Sequence, residues 1–271
     1  MKMRGRIRVL LWIVVLAAGF SSCNRSGRIS VKTETIALDS LAQIEPLTTT
    51  LVKPKLYTNI CGLEKLPRHK AKKTFIAAIL PSILVAKHEM EQRRKNVIAL
   101  SEKTQWSASD SVYYRDLKRR YNAKDINDLL TRVGTLPSSI VLAQAAVESG
   151  WGTSRFFLKA NNLFGVWSFD STESRIPARQ TRDKRRIYLR AYPDIAQSIL
   201  DYFEILARSR SYKSLRMARL QTANAYALLP HLRNYSERRS RYTRQLKSII
   251  VKNNLTTFDQ YEIDPDYLID D

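Results

Sequence analysis

The chain has 271 residues, 44% hydrophobic and 26% charged, a balance that suits one globular domain with appendages. Its formal net charge of +21 and sequence pI of about 10.1 call for a polyanionic partner or surface, for which nucleic acid, an acidic polymer and an anionic lipid surface all qualify. Several kinds of chemistry are excluded at once. The three histidines, His69, His88 and His231, are isolated and lack metal-ligand spacing, and there is neither a Gly-rich phosphate loop nor a Ser-His-Asp pattern. No metal and no cofactor is therefore expected.

Lys2, Arg4, Arg6 and Arg8 make a positive start, and residues 9–20, VLLWIVVLAAGF, make a short apolar run. Twelve residues are too few to span a hydrocarbon core of ~30 Å comfortably, so residues 1–22 read as an export signal. An uncleaved signal anchor is the alternative. Phe20-Ser21-Ser22-Cys23 resembles a bacterial lipobox, in which the cysteine is lipidated and becomes the first residue of the mature protein. Cys61 is the only other cysteine, so an acylated Cys23 leaves no intramolecular disulfide. Residues 23–66, rich in Ser, Thr, Lys and Pro with weak periodicity, read as a lipidated N-terminus and flexible tether.

From Lys70 to Lys103 the pattern is helical, with Phe75, Ile79, Ile83, Ala86 and Met90 on one face and Pro81 expected to kink the helix or mark its first turn. Two shorter helices are predicted over 110–121 and 124–133, the first capped by Asp110. A further helix runs from Ser138 to Ser149 with Pro137 at its first turn, and a short one covers 155–161. Residues 173–192 are charged, and their alternation near Ile187, Leu189 and Ala191 predicts a small β-hairpin. Asp194 caps a helix with Ile195, Ile199, Tyr202, Phe203 and Leu206 inside, and more helices follow over 214–230 and 237–252. The charge is uneven. Arg208–Lys252 holds twelve Lys and Arg against Glu237 alone, and Asn253–Asp271 holds six acids and no base. The basic stretch is either a solvated helix face or a binding surface. The acidic tail, 256–271, is either disordered or folded back on it.

Residues 137–167, PSSIVLAQAAVESGWGTSRFFLKANNLFGVW, carry the clearest chemical signal. The helix is uncharged up to Val147. Glu148 follows, and Gly150 and Gly152 then end the helix, because glycine accepts a positive φ without steric cost. A carboxylate on the last turn meets the negative end of the helix dipole, and Val147, Trp151 and Phe156 add a desolvation cost. Both effects raise its pKa, as a glycosidase needs in a general acid. A lone Glu before Gly would be an ordinary surface residue; the surrounding motif argues otherwise.

AQAAVESGWGTSRF followed by NNLFGVW resembles the glucosaminidase superfamily, glycoside hydrolase family 73, through Gln144, Ala145, Ala146, Glu148, Ser149, Gly150, Trp151, Gly152, Ser154 and Arg155, then Asn161 to Gly165. The segments around Phe75, Pro81 and Arg94, AYPDIAQSILDYFEIL and LRNYSERRSRYTRQL look like its Bax-like branch, so the resemblance covers about residues 70–252. It implies an α+β, mostly α fold: a lysozyme-like helical domain over 67–255 with a small β-lobe beside the catalytic cleft. It also implies cleavage of the β-1,4 glycan strands of peptidoglycan. Glu148 would be the general acid, and Tyr235 would stabilise positive charge or orient a water; the alternative for Tyr235 is a core aromatic with a hydrogen-bonded hydroxyl. The substrate's 2-acetamido group is a possible nucleophile, so neither Glu173 nor Asp183 is assigned as a second carboxylate. Asn162, Leu163, Phe164 and Gly165 are expected to shape the cleft floor. Trp151 and Trp167 are expected either to stack on sugars or, Trp151 especially, to pack in the core.

The leading reading is an endo-β-N-acetylglucosaminidase. A muramidase or lytic transglycosylase keeps the fold and changes the bond. A non-catalytic peptidoglycan-binding lipoprotein changes the class. The export signal argues against a nucleic-acid partner. Asn24 after Cys23 is not the Asp that commonly retains lipoproteins at the inner membrane, which favours the periplasmic side of the outer membrane. The wild-type protein should incorporate a palmitate analogue, since each buried CH₂ contributes ~0.8 kcal/mol to anchoring. Cys23→Ser should abolish the labelling, and an unlabelled wild-type protein would make Cys23 merely the end of an ordinary signal.

Overall fold

The computed structural model describes residues 29–182 and 185–270. The export signal, Cys23 and Asp183 lie outside the described residues. The scaffold is a 35-residue helix, α1 (Arg68–Glu102), which is buried on nearly every side between Phe75 and Leu84. A helix apolar all round belongs at the centre of a fold rather than on its surface. Phe75, Ile79, Ile83, Ala86 and Met90, the predicted face, are all buried. Pro81 neither starts nor ends this helix but lies inside it, fully packed. The helix gives up one backbone bond there, and the apolar packing around that turn offsets the loss.

Helices α2 (Ala108–Arg120), α3 (Ile126–Arg132) and α4 (Ser138–Glu148) follow. Asp110 is not the cap of α2. Ser107 is: its hydroxyl accepts from the Asp110 amide, and the Asp110 carboxylate accepts from the Ser107 amide in a reciprocal capping pair. After α5 (Arg155–Ala160), a three-stranded sheet in the order β5-β7-β6 forms the expected β-lobe from β5 (Trp167–Ser168), β6 (Arg175–Arg182) and β7 (Arg185–Arg190). Asp194 caps α6 (Ile195–Arg208) through the Gln197 amide, as its sequence implies. The helix predicted over 214–230 is broken. α7 (Lys213–Ala218) ends, Asn224 caps the single turn α8 (Ala225–Leu228), and a 3-10 turn carries the chain to Tyr235 before α9 (Ser240–Lys252). The break follows from Asn224, whose side chain takes the Tyr226 and Ala227 amides and starts a new helix. The architecture is mostly helical with small sheets.

The segment expected to be a flexible tether differs most from the sequence reading. Short strands Ile29–Val31, Glu34–Ala37, Leu51–Val52 and Lys55–Thr58 run through the supposed tether. Ile29–Val31 pairs antiparallel with Leu268–Asp270, and Leu51–Val52 pairs parallel with Glu262–Ile263, so the two ends of the domain are zipped together. Leu38, Ile44, Val52, Leu56, Tyr57, Ile60 and Leu63 are buried, and all but Leu56 join the main core. Residues 29–66 are thus part of the domain. Weak periodicity hid them, because strands of two to four residues are too short to show alternation. The acidic tail folds back as well. Its Asp259 accepts hydrogen bonds from the Ser139 amide (2.7 Å) and hydroxyl (2.8 Å), supplying α4 with the N-terminal anion that Pro137 cannot provide.

Part of the basic stretch is also internal. Arg216 donates to the Leu206 and Ser209 carbonyls, and Arg219 to those of Gly134, Thr131 and Arg132. These two guanidinium groups close helix ends rather than meet a polyanion. Removing the side chain of Leu63, which is 1% exposed, by Leu63→Ala should cost about 2–5 kcal/mol in chemical denaturation. Deletion of residues 29–62 should abolish cooperative unfolding, and a truncated protein that melts like the intact chain would restore the tether reading.

Candidate active site

Helix α4 brings Gln144 and Glu148 onto one face, one turn apart, and stops immediately after the acid. Gly150, Trp151 and Gly152 then adopt φ values of 59°, 57° and 81° in succession. Ser149 locks this turn, its hydroxyl donating to the Ala145 carbonyl (2.6 Å) and accepting from the Gly152 amide (2.9 Å). At Gly152 a Cβ would meet Leu63 at 2.7 Å and Phe75 at 3.0 Å. Glycine is required there for conformation and for close approach. The turn therefore rests on α1 and on the folded N-terminal segment together. A tryptophan at positive φ is strained. Trp151 is held there by an edge-on contact with Phe75 (5.6 Å between centroids) and by the Lys72 ammonium 4.9 Å over its ring. The half-buried ring packs against the core at the back of the turn.

Glu148 is half-buried, and its Oε1 accepts a hydrogen bond from the Tyr242 hydroxyl at 2.9 Å. The polarity of this bond is set by the next residues in the chain of contacts. The Tyr202 hydroxyl donates to Gln144 Oε1 (2.5 Å), and Gln144 Nε2 donates to the Tyr242 oxygen (3.0 Å). Tyr242 already accepts, so its own proton goes to Glu148. With Oε1 committed as an acceptor, a proton on the carboxyl group sits on Oε2. Burial raises the Glu148 pKa; the Tyr242 hydrogen bond and the Arg238 charge oppose that rise without cancelling it. Four phenols surround the acid and stay protonated. Burial, reinforced by the Glu148 charge, pushes Tyr202, Tyr235 and Tyr242 well above the ordinary value and Tyr212 up to about 12.

Tyr235 ends the 3-10 turn and stacks on Tyr242 (5.7 Å, 9° between planes), with its edge toward Tyr202 (6.1 Å). It lies in the tyrosine cluster, while the hydroxyl that touches Glu148 belongs to Tyr242. Sequence reasoning missed Tyr242 and Tyr202. Tyr242 is seven residues past Tyr235 in the same motif, and only the placement of α9 against α4 distinguishes the two.

Asn162 does not offer its amide to a ligand. Its nitrogen donates to the Val166 (3.0 Å) and Arg190 (2.8 Å) carbonyls and its oxygen accepts from the Val166 amide, fastening the β-lobe to the helical body. Phe164 is 6% exposed and stacks on Tyr202 at 4.2 Å, so it supports the network from behind. Gly165, at φ +67°, has nothing within 4 Å of where a Cβ would stand, which leaves open space above the backbone. Glu173 is engaged by Arg190 at 2.7 Å. No described helix is long and apolar enough to cross a membrane.

Because the Glu148 pKa is raised, the native protein retains a proton that the unfolded chain releases between the usual carboxyl value and the raised one. Its stability contribution therefore falls as pH rises through that window. Glu148→Gln keeps the acceptor for Tyr242 and cannot ionise. The melting temperatures of variant and wild type should converge at acid pH, and the variant should gain relative to wild type above the window. An offset independent of pH would contradict the burial of the charge.

The family described as glucosaminidase, mannosyl-glycoprotein endo-beta-N-acetylglucosaminidase, matches residues 123–255. The chain is 28% identical to Protein bax of Escherichia coli (strain K12) over 196 residues, covering 67% of this chain and 69% of that protein. It is 30% identical over 148 residues to Peptidoglycan hydrolase FlgJ of the same strain, covering 47% of this chain and 46%, about half, of that protein. The catalytic domain of the autolysin Auto from Listeria monocytogenes aligns with a TM-score of 0.38 at 23% identity, over 62% of this chain and 96% of that domain. With the Glu148 motif and the tyrosine network inside the matched segment, residues 123–255 form a glucosaminidase-superfamily domain, and the likeness to Protein bax extends beyond it.

Proposed function

We propose that this protein is a peptidoglycan hydrolase, an endo-β-N-acetylglucosaminidase with Glu148 as general acid. The observation that carries the reading is a half-buried carboxyl group whose pKa is raised and whose Oε1 is held as an acceptor by Tyr242. Family membership and the likeness to a protein named a peptidoglycan hydrolase support the same substrate.

In the proposed reaction the proton on Glu148 Oε2 passes to the glycosidic oxygen as the bond from that oxygen to the anomeric carbon breaks. The leaving sugar departs as a neutral alcohol, and positive charge develops on the anomeric carbon and ring oxygen. The carbonyl oxygen of the 2-acetamido group closes on the anomeric carbon to give a cyclic cation. Water then opens this ring, its proton returns to the Glu148 carboxylate, and the acid is regenerated. Tyr235, beside Tyr242, is assigned the positioning of that water or the stabilisation of the cation. Tyr242, with Gln144 and Tyr202 behind it, keeps the carboxyl oriented. We place the enzyme in the cell envelope, carried there by residues 1–22 and anchored through a lipid on Cys23 at the periplasmic side of the outer membrane.

Glu148→Gln should fold and lose ~10²–10⁴-fold in glycan cleavage, the usual scale of general acid catalysis. Mass spectrometry of reduced products from purified peptidoglycan reads the bond. New reducing ends on N-acetylglucosamine match the proposal. Ends on N-acetylmuramic acid, or anhydro products, reassign it to a muramidase or lytic transglycosylase. A variant retaining more than about a tenth of the wild-type rate removes Glu148 from the acid role.

A further inference from the structure

We infer that the exposed guanidinium of Arg238 is a substrate-binding group that takes a carboxylate of the polymer beside the bond that is cut. This rests on the proposed peptidoglycan hydrolase function and names the part of the substrate that the site recognises. Arg238 lies in the short link between Tyr235 and α9. Its guanidinium carbon stands 5.5 Å from the ring centre of Tyr242, whose hydroxyl donates to Glu148 Oε1 at 2.9 Å. The cation is thus one side chain removed from the acid.

The guanidinium is held in place but not neutralised. It donates to Gln245 Oε1 (2.7 Å) and to Ser236 Oγ (3.4 Å), both uncharged. Among the described residues Arg238 forms no ion pair. Arginines elsewhere in the fold are engaged differently. Arg93 and Arg120 share Glu204, and Arg190 spans Glu173 and Asp201. The exposed Arg239, Arg241 and Arg244 follow on the same segment and form no ion pair with a described carboxylate either. A run of unneutralised cations therefore starts beside the acid.

A permanent cation at this place opposes the chemistry in the free protein. A general acid must hold its proton, and a positive charge nearby favours release. Arg238 acts in that direction on Glu148. The other titratable groups around the acid are Tyr202 on α6, Tyr212 before α7, Tyr235 and Tyr242, all phenols that stay protonated and uncharged. A substrate carboxylate paired with Arg238 removes the opposition when the glycan is bound, so binding and proton retention reinforce each other. The planar fork of a guanidinium matches a carboxylate, and a net charge of +21 favours an anionic polymer over a neutral one.

Peptidoglycan offers carboxylates from two sources, the stem peptides of the intact polymer and the lactyl groups of strands stripped of peptide. The test measures initial rates below saturation, which report kcat/KM, for the full-length wild type, Arg238→Gln and Arg238→Lys. Both materials are used, each before and after its carboxyl groups are amidated with carbodiimide and ammonia. Arg238→Gln should lose about tenfold, equivalent to ~1.4 kcal/mol, on at least one unmodified material, and Arg238→Lys should recover part of that loss. Amidation should slow the wild type to the level of Arg238→Gln. A deficit on the intact polymer assigns the stem peptide, and one on stripped strands assigns the lactyl group. A wild type indifferent to amidation of both materials overturns the inference, whatever the variants do. So does an Arg238→Gln deficit that persists undiminished after amidation, which marks a structural role. If the wild type releases no product from any material, the hydrolase reading fails and the inference with it. Product from the wild type with no Arg238→Gln deficit removes Arg238 alone.

Discussion

The arrangement around Glu148 depends on a conflict between a carboxyl group and the place where it is held. At the end of a helix, half out of water, ionisation is disfavoured by burial, and a neighbouring guanidinium and a phenolic hydrogen bond only moderate the effect. The Tyr202–Gln144–Tyr242 series gives that bond one polarity, leaving Oε1 as the acceptor and Oε2 for the proton. Such a network holds its orientation because each buried polar atom in it has a partner, and reversing one bond would orphan another.

The rest of the domain keeps that helix end still. The turn after Glu148 contains three consecutive positive-φ residues, one of them a tryptophan, and strained backbone persists only where its surroundings over-determine it. Phe75 of α1, Leu63 of the N-terminal segment and Phe157 of α5 close on Gly152 from three sides. At the other end of α4, Asp259 from the acidic tail takes the Ser139 amide. Chain segments that flank the matched family region thus brace α4 at both ends. The strand pairing between Ile29–Val31 and Leu268–Asp270 fastens those two flanks to each other.

The functional residues divide according to how local their signals are. The helix carrying Glu148, its glycine stop, the β-hairpin and the Asp194 cap were legible because each rests on contacts within a few residues. The roles of Asn162 and Phe164 were not, and Trp151 stood between sugar stacking and core packing. Their types suit sugar binding, yet Trp151 packs on Phe75, Asn162 bonds three backbone groups and Phe164 stacks on Tyr202. Residue type says what a side chain can do. Which neighbours have already satisfied it is a property of the packed structure.

By itself the sequence determined a mostly helical domain, an acid at a helix terminus whose pKa must rise, and a superfamily. Periodicity, capping and glycine conformations act over one or two turns, and the motif is contiguous. Tertiary structure alone decided which tyrosine reaches Glu148, since Tyr242 is 94 residues away and is brought there by α9 packing on α4. It also decided that residues 29–66 and the acidic tail belong to the domain. Strands of two to four residues have no pattern of their own and exist only through partners at the far end of the chain.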